Sequence, residues 1–354
     1  MQLASTWAVV WLMCGLSCAC STSSRQSHAM RDAGPGDRDS ATKASRKCGD
    51  TSRLLVDYFA AVPKADEAPV LSVQSPSIAV NSKHLYFLLN WEDRQGHQGC
   101  LMRLTFGADR STCVSSIPGG GSSASQSIVA SDHDVFFGRA APREQTSGAL
   151  DRLDENGDRV TTLTETRGEL KGLVVNSDRV FFADDDGTRS VRIDGGEQRL
   201  LSSSHQTYSL GLVGSTLYMG GSSLTSVAVD GGDASIVANE PALYPLACDD
   251  AVCWIAGAPL AATLARLGKD GHRTTLAPDV TEAHALLYDG NNFFVTVGAV
   301  GLSLLRVPVA GGSSFLVATE PATSLALDDD CLYWAGAAGI FSISRAVADV
   351  ADVR

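Results

Sequence analysis

Chemistry in this chain would have to come from its carboxylates, histidines, cysteines and serines, and spacing is the first test of each. Asp184-Asp185-Asp186-Gly187 is the densest acidic run beside a turn glycine, and three carboxylates there have the oxygen chemistry of a calcium ligand set. A calcium loop of the EF-hand kind alternates its acids and ends on a distant Glu, which this run lacks. It reads instead as a solvated turn between two strands, and no metal or other cofactor is expected. Asp249-Asp250 and Asp328-Asp329-Asp330 likewise fall in turns. The seven histidines contain no i,i+2 or i,i+4 pair, so spacing supplies no metal site. No serine sits in the Gly-x-Ser-x-Gly setting of a hydrolase elbow.

The elements that position these groups must be inferred from composition and repetition. The chain has 354 residues, 44% hydrophobic and 19% charged, enough apolar material to build a core. Its net charge of -12 opposes a phosphate-backbone partner, because such binding needs clustered cations. Gly is frequent at 34 residues while aromatics are 6%, a balance suited to short strands and tight turns.

Residues 1–20 carry no charged side chain, and the apolar run from Leu3 to Leu16 is short for a bilayer span, so the segment reads as an export signal. Leu16-Ser17-Cys18-Ala19-Cys20-Ser21 resembles a bacterial lipoprotein cleavage box, which implies lipid attachment at Cys20 or Cys18; ordinary secretion is the alternative. Residues 21–47 mix Ser, Ala, Gly and charge without apolar periodicity, as a flexible tether does. The membrane would then be met only through the N-terminal anchor, in an outer-membrane lipoprotein or a periplasmic or extracellular protein. Of nine cysteines, six lie beyond the signal: Cys48, Cys100, Cys113, Cys248, Cys253 and Cys331. An even count in an exported chain favours disulfides.

Seven segments share one register of an apolar residue, a turn-forming stretch, another apolar residue and an aromatic pair or its substitute. They are VNSKHLYF (80–87), ASDHDVFF (130–137), VNSDRVFF (175–182), LVGSTLYM (212–219), ACDDAVCW (247–254), LYDGNNFF (287–294) and LDDDCLYW (327–334). Met219, Cys253 and the polar Asn292 depart from the pattern. Each segment predicts an inner strand, a turn and a returning aromatic strand. A second hairpin follows each, as in SLTSVAVDGGDASIVAN (223–239), and makes four strands per repeat. The repeats advance by about 41 residues, the length of a propeller blade. The expectation is an all-β chain, a single seven-bladed β-propeller over residues 48–354, with about 45% strand and essentially no helix beyond the signal.

The last repeat, ending GIFSISRA (339–346), supplies only three strands. RLLVDYF (53–59) is the first candidate for the missing outer strand and PVLSV (69–73) the second. Cys100 and Cys113 lie symmetrically about Phe106-Gly107 and should pair across one hairpin, and Cys248 and Cys253 bracket the inner turn of blade five. If residues near 51–58 close the ring, Cys48 is brought to Cys331.

The segments, and SLALDDDCLYWAGAAGIFSIS (324–344) most fully, resemble the blades of bacterial exported β-propellers with Tyr-Trp-type repeats, and share the logic of YWTD and NHL-type propellers. Tyr333-Trp334 is followed by Ala335-Gly336, not by the Thr-Asp of YWTD. The resemblance implies fold and export more than activity. On the face formed by loops joining second to third strands and blade to blade, the first three blades carry the most polar stretches: Trp91, Glu92, Asp93, Arg94 and His97, then Arg139 and Arg143, then Asp184 and Asp186. These are the candidate contacts for a protein, peptide or envelope glycan bound by a monomeric, non-catalytic scaffold. The alternative is a propeller lyase or lactone hydrolase with a metal at the channel mouth.

Overall fold

The computed structural model describes residues 48–348 apart from 63–71, 75, 94–95, 119–127, 140–146, 155, 158 and 299–302. The signal, the tether, Cys18, Cys20, Arg94 and Arg143 lie outside the described residues. Seven antiparallel sheets form seven blades in a ring, each with its first strand innermost. Among the described residues, helix is confined to the single turns Tyr58–Ala61, Arg345–Ala348 and Pro259–Ala261.

The aromatic pair explains why the blades stand face to face. Successive side chains of a strand point to opposite faces, so two neighbouring large residues serve two different interfaces. Tyr86 packs with Phe137 between blades one and two, while Phe87 packs with Tyr333 between blades seven and one. Phe136 and Phe182 share the next interface, Phe181 and Met219 the one after. Seven such clusters complete the circle, and most of their large side chains are fully buried.

Blade six departs from the expected alignment by one residue. Asp289 N–H donates to Asn292 O at 3.1 Å, as Asn81 N–H does to His84 O at 3.0 Å, so the equivalent segment is 288–295. Phe294, not Phe293, then occupies the Tyr86 position and faces blade seven, while Phe293 and Val295 face blade five. The polar Asn292, at an apolar place in the sequence alignment, takes the place of His84 and opens the second strand, Asn292–Val297.

Arg53–Asp57 is the missing outer strand, running antiparallel to Gly339–Ser344 from Arg53↔Ser342 to Asp57↔Gly339. Of PVLSV, the part within Ser72–Gln74 pairs with the far end of blade one's second strand, Ser72↔Glu92 to Gln74↔Asn90, and extends that blade instead of closing the ring. Cys48 is bonded to Cys331, Cys100 to Cys113 and Cys248 to Cys253. The two short bridges are diagonal. Met102, not Cys100, is opposite Cys113 because the hairpin is centred on Gly107-Ala108, one residue later than Phe106-Gly107, and Cys253 is opposite Leu246. At the far end, Arg306 Nη1 donates to Ala348 O at 3.0 Å and fastens the last helical turn.

Two phenols tie down inner turns: Tyr333 donates to Asp328 Oδ2 at 3.0 Å, and Tyr288 to Asp249 Oδ1 at 2.7 Å, from blade six to blade five. Burial first, then the Asp249 carboxylate, pushes the Tyr288 phenol up to about 12. A phenol that ionises later in the folded state lends stability that is full below about pH 10 and lost as pH climbs through the folded value. The difference in unfolding midpoint between wild type and Tyr288→Phe is therefore expected to be constant from about pH 6 to about pH 9 and to shrink above about pH 10; a difference growing with pH contradicts the assignment.

The bridges close loops of very different length, 283 residues for Cys48–Cys331 and 5 for Cys248–Cys253. In the chain-entropy account these are worth roughly 6 and roughly 2 kcal/mol. Urea unfolding of Cys48→Ala/Cys331→Ala and Cys248→Ala/Cys253→Ala is expected to show the larger loss in the first pair, and the reverse order would refute ring stapling as its role.

Candidate functional site

The face carrying the inner turns is built from a repeated local device. A side-chain oxygen at the last inner position accepts the N–H groups two and three residues on and closes the turn. Asn81 Oδ1 accepts from Lys83 and His84 at 3.0 and 2.9 Å. Ser131 Oγ accepts from His133 and Asp134 at 3.4 and 3.0 Å. Asn176 Oδ1 accepts from Asp178 and Arg179 at 2.9 and 2.7 Å. Blades six and seven use carboxylates: Asp289 accepts at 2.8 and 2.6 Å, Asp328 at 2.9 and 2.8 Å. Blades four and five dispense with the cap and turn through Gly214 and Asp249, both at φ 57°.

Between the turns of blades one, two and three lies a cleft of about 520 Å³, a size suited to a small ligand. Val80, Ala130, Val175 and Ile193 give it an aliphatic floor, and Asn81, Ser131, Asp132, His133, Asn176 and Ser177 a polar rim. Its wall is held by the buried Asp134, which accepts from Arg152 Nε at 2.8 Å, while Arg152 Nη1 reaches across to Ile193 O at 3.0 Å. That one guanidinium joins blades two and three. Burial, then the Arg103 charge, holds His84 below the ordinary imidazole value. A second cavity of about 380 Å³ in blade five sets Asp250 against Arg266 and Lys269 at 3.9 and 3.5 Å. Among the described residues, no three His, Cys, Asp or Glu side chains are gathered as a metal ion requires.

Those residues singled out from sequence that are described fall on the opposite face and are not brought together in one site. Trp91 is 9% exposed and belongs to the core between blades seven and one, so it is no surface contact. The stretch expected as a long polar loop is a hairpin of two ten-residue strands, His84–Asp93 and Gly96–Thr105, with Glu92 opposite His97 and Asp93 opposite Gly96. Arg139 is engaged by the buried Asp151 at 2.8 Å. The acidic run does turn between second and third strands, but Asp184 is not solvated: it is 1% exposed and accepts from Arg189 and from Arg167 N–H. Asp185 pairs with Lys171 at 2.7 Å and Asp186 with Arg167 at 3.1 Å, so each carboxylate meets its own cation. The rim of the cleft passed in the sequence as turn chemistry; the available signal was the change of cap from Asn or Ser in blades one to three to Asp in six and seven.

No family model and no curated protein matches the chain. Among solved structures it is similar to a streptogramin B lyase (TM-score 0.52, 14% identity, 78% of this chain and 96% of that one). It is also similar to virginiamycin B lyase from Staphylococcus aureus (TM-score 0.53, 12% identity, 78% and 98%). PorZ, an essential bacterial surface component of the type-IX secretion system of Porphyromonas gingivalis, aligns with TM-score 0.54 at 12% identity over 78% of this chain and 37% of that longer one. At such identities the likeness is one of fold: a seven-bladed β-propeller.

Removing the cation that spans blades two and three tests the wall of the cleft. Arg152→Met strands the buried Asp134 carboxylate and is expected to cost about 3 kcal/mol in chemical denaturation, largely recovered in Arg152→Met/Asp134→Asn. A neutral Arg152→Met shows that the pair holds nothing.

Proposed function

We propose that the chain is an exported, non-catalytic β-propeller that binds a protein, peptide or envelope glycan, as a monomer and without a cofactor, in the cleft between blades one, two and three. The observation that carries this is the cleft itself, with an aliphatic floor beneath hydrogen-bonding groups on three turns. A lyase or lactone hydrolase would instead need acids or histidines converging on the channel. Export is supported by the pairing of all six cysteines beyond residue 47, which needs an oxidising compartment. In this reading residues 1–20 are the leader, 21–47 the tether, and Cys20 or Cys18 carries lipid.

Capture from envelope extracts should be lost in Ser177→Trp, which fills the cleft from an exposed position, and kept in Glu92→Ala/Asp186→Ala on the opposite face. The opposite pattern moves the site to that face. Metabolic labelling with a fatty-acid analogue is expected for wild type and not for Cys18→Ser/Cys20→Ser; label retained in the double variant removes the anchor.

A further inference from the structure

Resting on the reading that the cleft is the binding site, we infer that its ligand is a neutral saccharide, held by the side-chain amide of Asn176, seconded by Asn81, together with the carboxylate of Asp132. The caps supply the reason. Asp289 and Asp328 make the same two turn hydrogen bonds as Asn81 and Asn176, at the same distances within a few tenths of an ångström. A carboxylate therefore closes this turn as well as an amide, and turn geometry does not explain why the cleft blades carry Asn, Ser and Asn. What Asn adds is the Nδ2 group. With Oδ1 committed to backbone N–H donors, the amide's two hydrogens must point away from the turn. Those of Asn176 meet no acceptor among the described residues, whereas the Asn81 amide is partly engaged by the Tyr86 hydroxyl. Asp132 and Ser177 are exposed on the same rim.

Amide donors beside a carboxylate acceptor match adjacent hydroxyls, each of which accepts one hydrogen bond and donates another. The aliphatic floor suits the C–H face of a sugar ring. Among the described residues no Lys or Arg lines the cleft, and with Asp132 on the rim of a chain of net charge -12, anionic sugars and phosphates are repelled.

The test is a printed array of neutral and of sialylated or phosphorylated glycans, followed by calorimetric titration with the best-bound neutral glycan. Neutral glycans are expected to bind, acidic ones not. Asn176→Asp keeps the cap and removes the donors, so it is expected to lower affinity about tenfold with the unfolding midpoint within about 2 °C of wild type; a purely structural Asn would not separate the two. Asp132→Asn is expected to weaken binding likewise. Wild-type affinity in Asn176→Asp, or glycan binding that survives Ser177→Trp, overturns the inference. If no neutral glycan binds while Ser177→Trp still abolishes capture of the envelope partner, the saccharide assignment fails and the binding site stands. If Ser177→Trp alters nothing, both fall.

Discussion

Everything in this molecule depends on two adjacent large side chains in each second strand pointing opposite ways. Phe136 fills one side of blade two and Phe137 the other. A blade of four short strands buries too little by itself to fold, but each interface here holds several fully buried aliphatic and aromatic residues at about 1.5–3 kcal/mol apiece. No blade owns its core. Each half-core is completed by a neighbour, and the seventh neighbour is the first blade.

With both faces of every blade committed, sequence freedom is displaced to the turns. Those on the inner-strand side keep a common geometry while changing their chemistry from amide to hydroxyl to carboxylate. On the other face the freedom takes a different form: blade one lengthens a hairpin that buries Trp91, and blade three balances three adjacent carboxylates against Arg189, Lys171 and Arg167. Acids so neutralised brace a turn and have little left to offer a ligand.

The fold was legible because its central constraint is local in sequence. The turn, the aromatic pair and the second hairpin recur in a fixed order, and the three-strand final repeat announced that an N-terminal strand must close the ring. Where local reading slipped, long-range facts decided. Blade six was misaligned by one residue because two phenylalanines look alike until the neighbour each faces is known, although Asn292 at an apolar place was the visible warning. The diagonal disulfides depend on where each hairpin turns, which spacing alone leaves open by a residue. Asp184 looked solvated because its partners, the Arg189 guanidinium and the Arg167 backbone N–H, come from the next strand and from the end of blade two's outer strand. The cleft was illegible for a similar reason: its rim comes from three turns, at Asn81, Ser131 and Asn176, each about one blade from the next, and every rim residue is also a good turn former.

The closing strand has a consequence for the order of folding. Arg53–Asp57 leaves the ribosome before any blade, yet its partner, Gly339–Ser344, belongs to the last one made. Until that blade exists, the growing chain is an open arc whose two end faces are apolar and whose outer edges are unpaired, the surfaces most prone to association between molecules. Ring closure joins the most distant parts of the chain, so of all the pairings in the fold it carries the largest loop-closure entropy. The Cys48–Cys331 bond can form only after that search has succeeded, and it converts a completed circle into one that cannot unzip from its own ends.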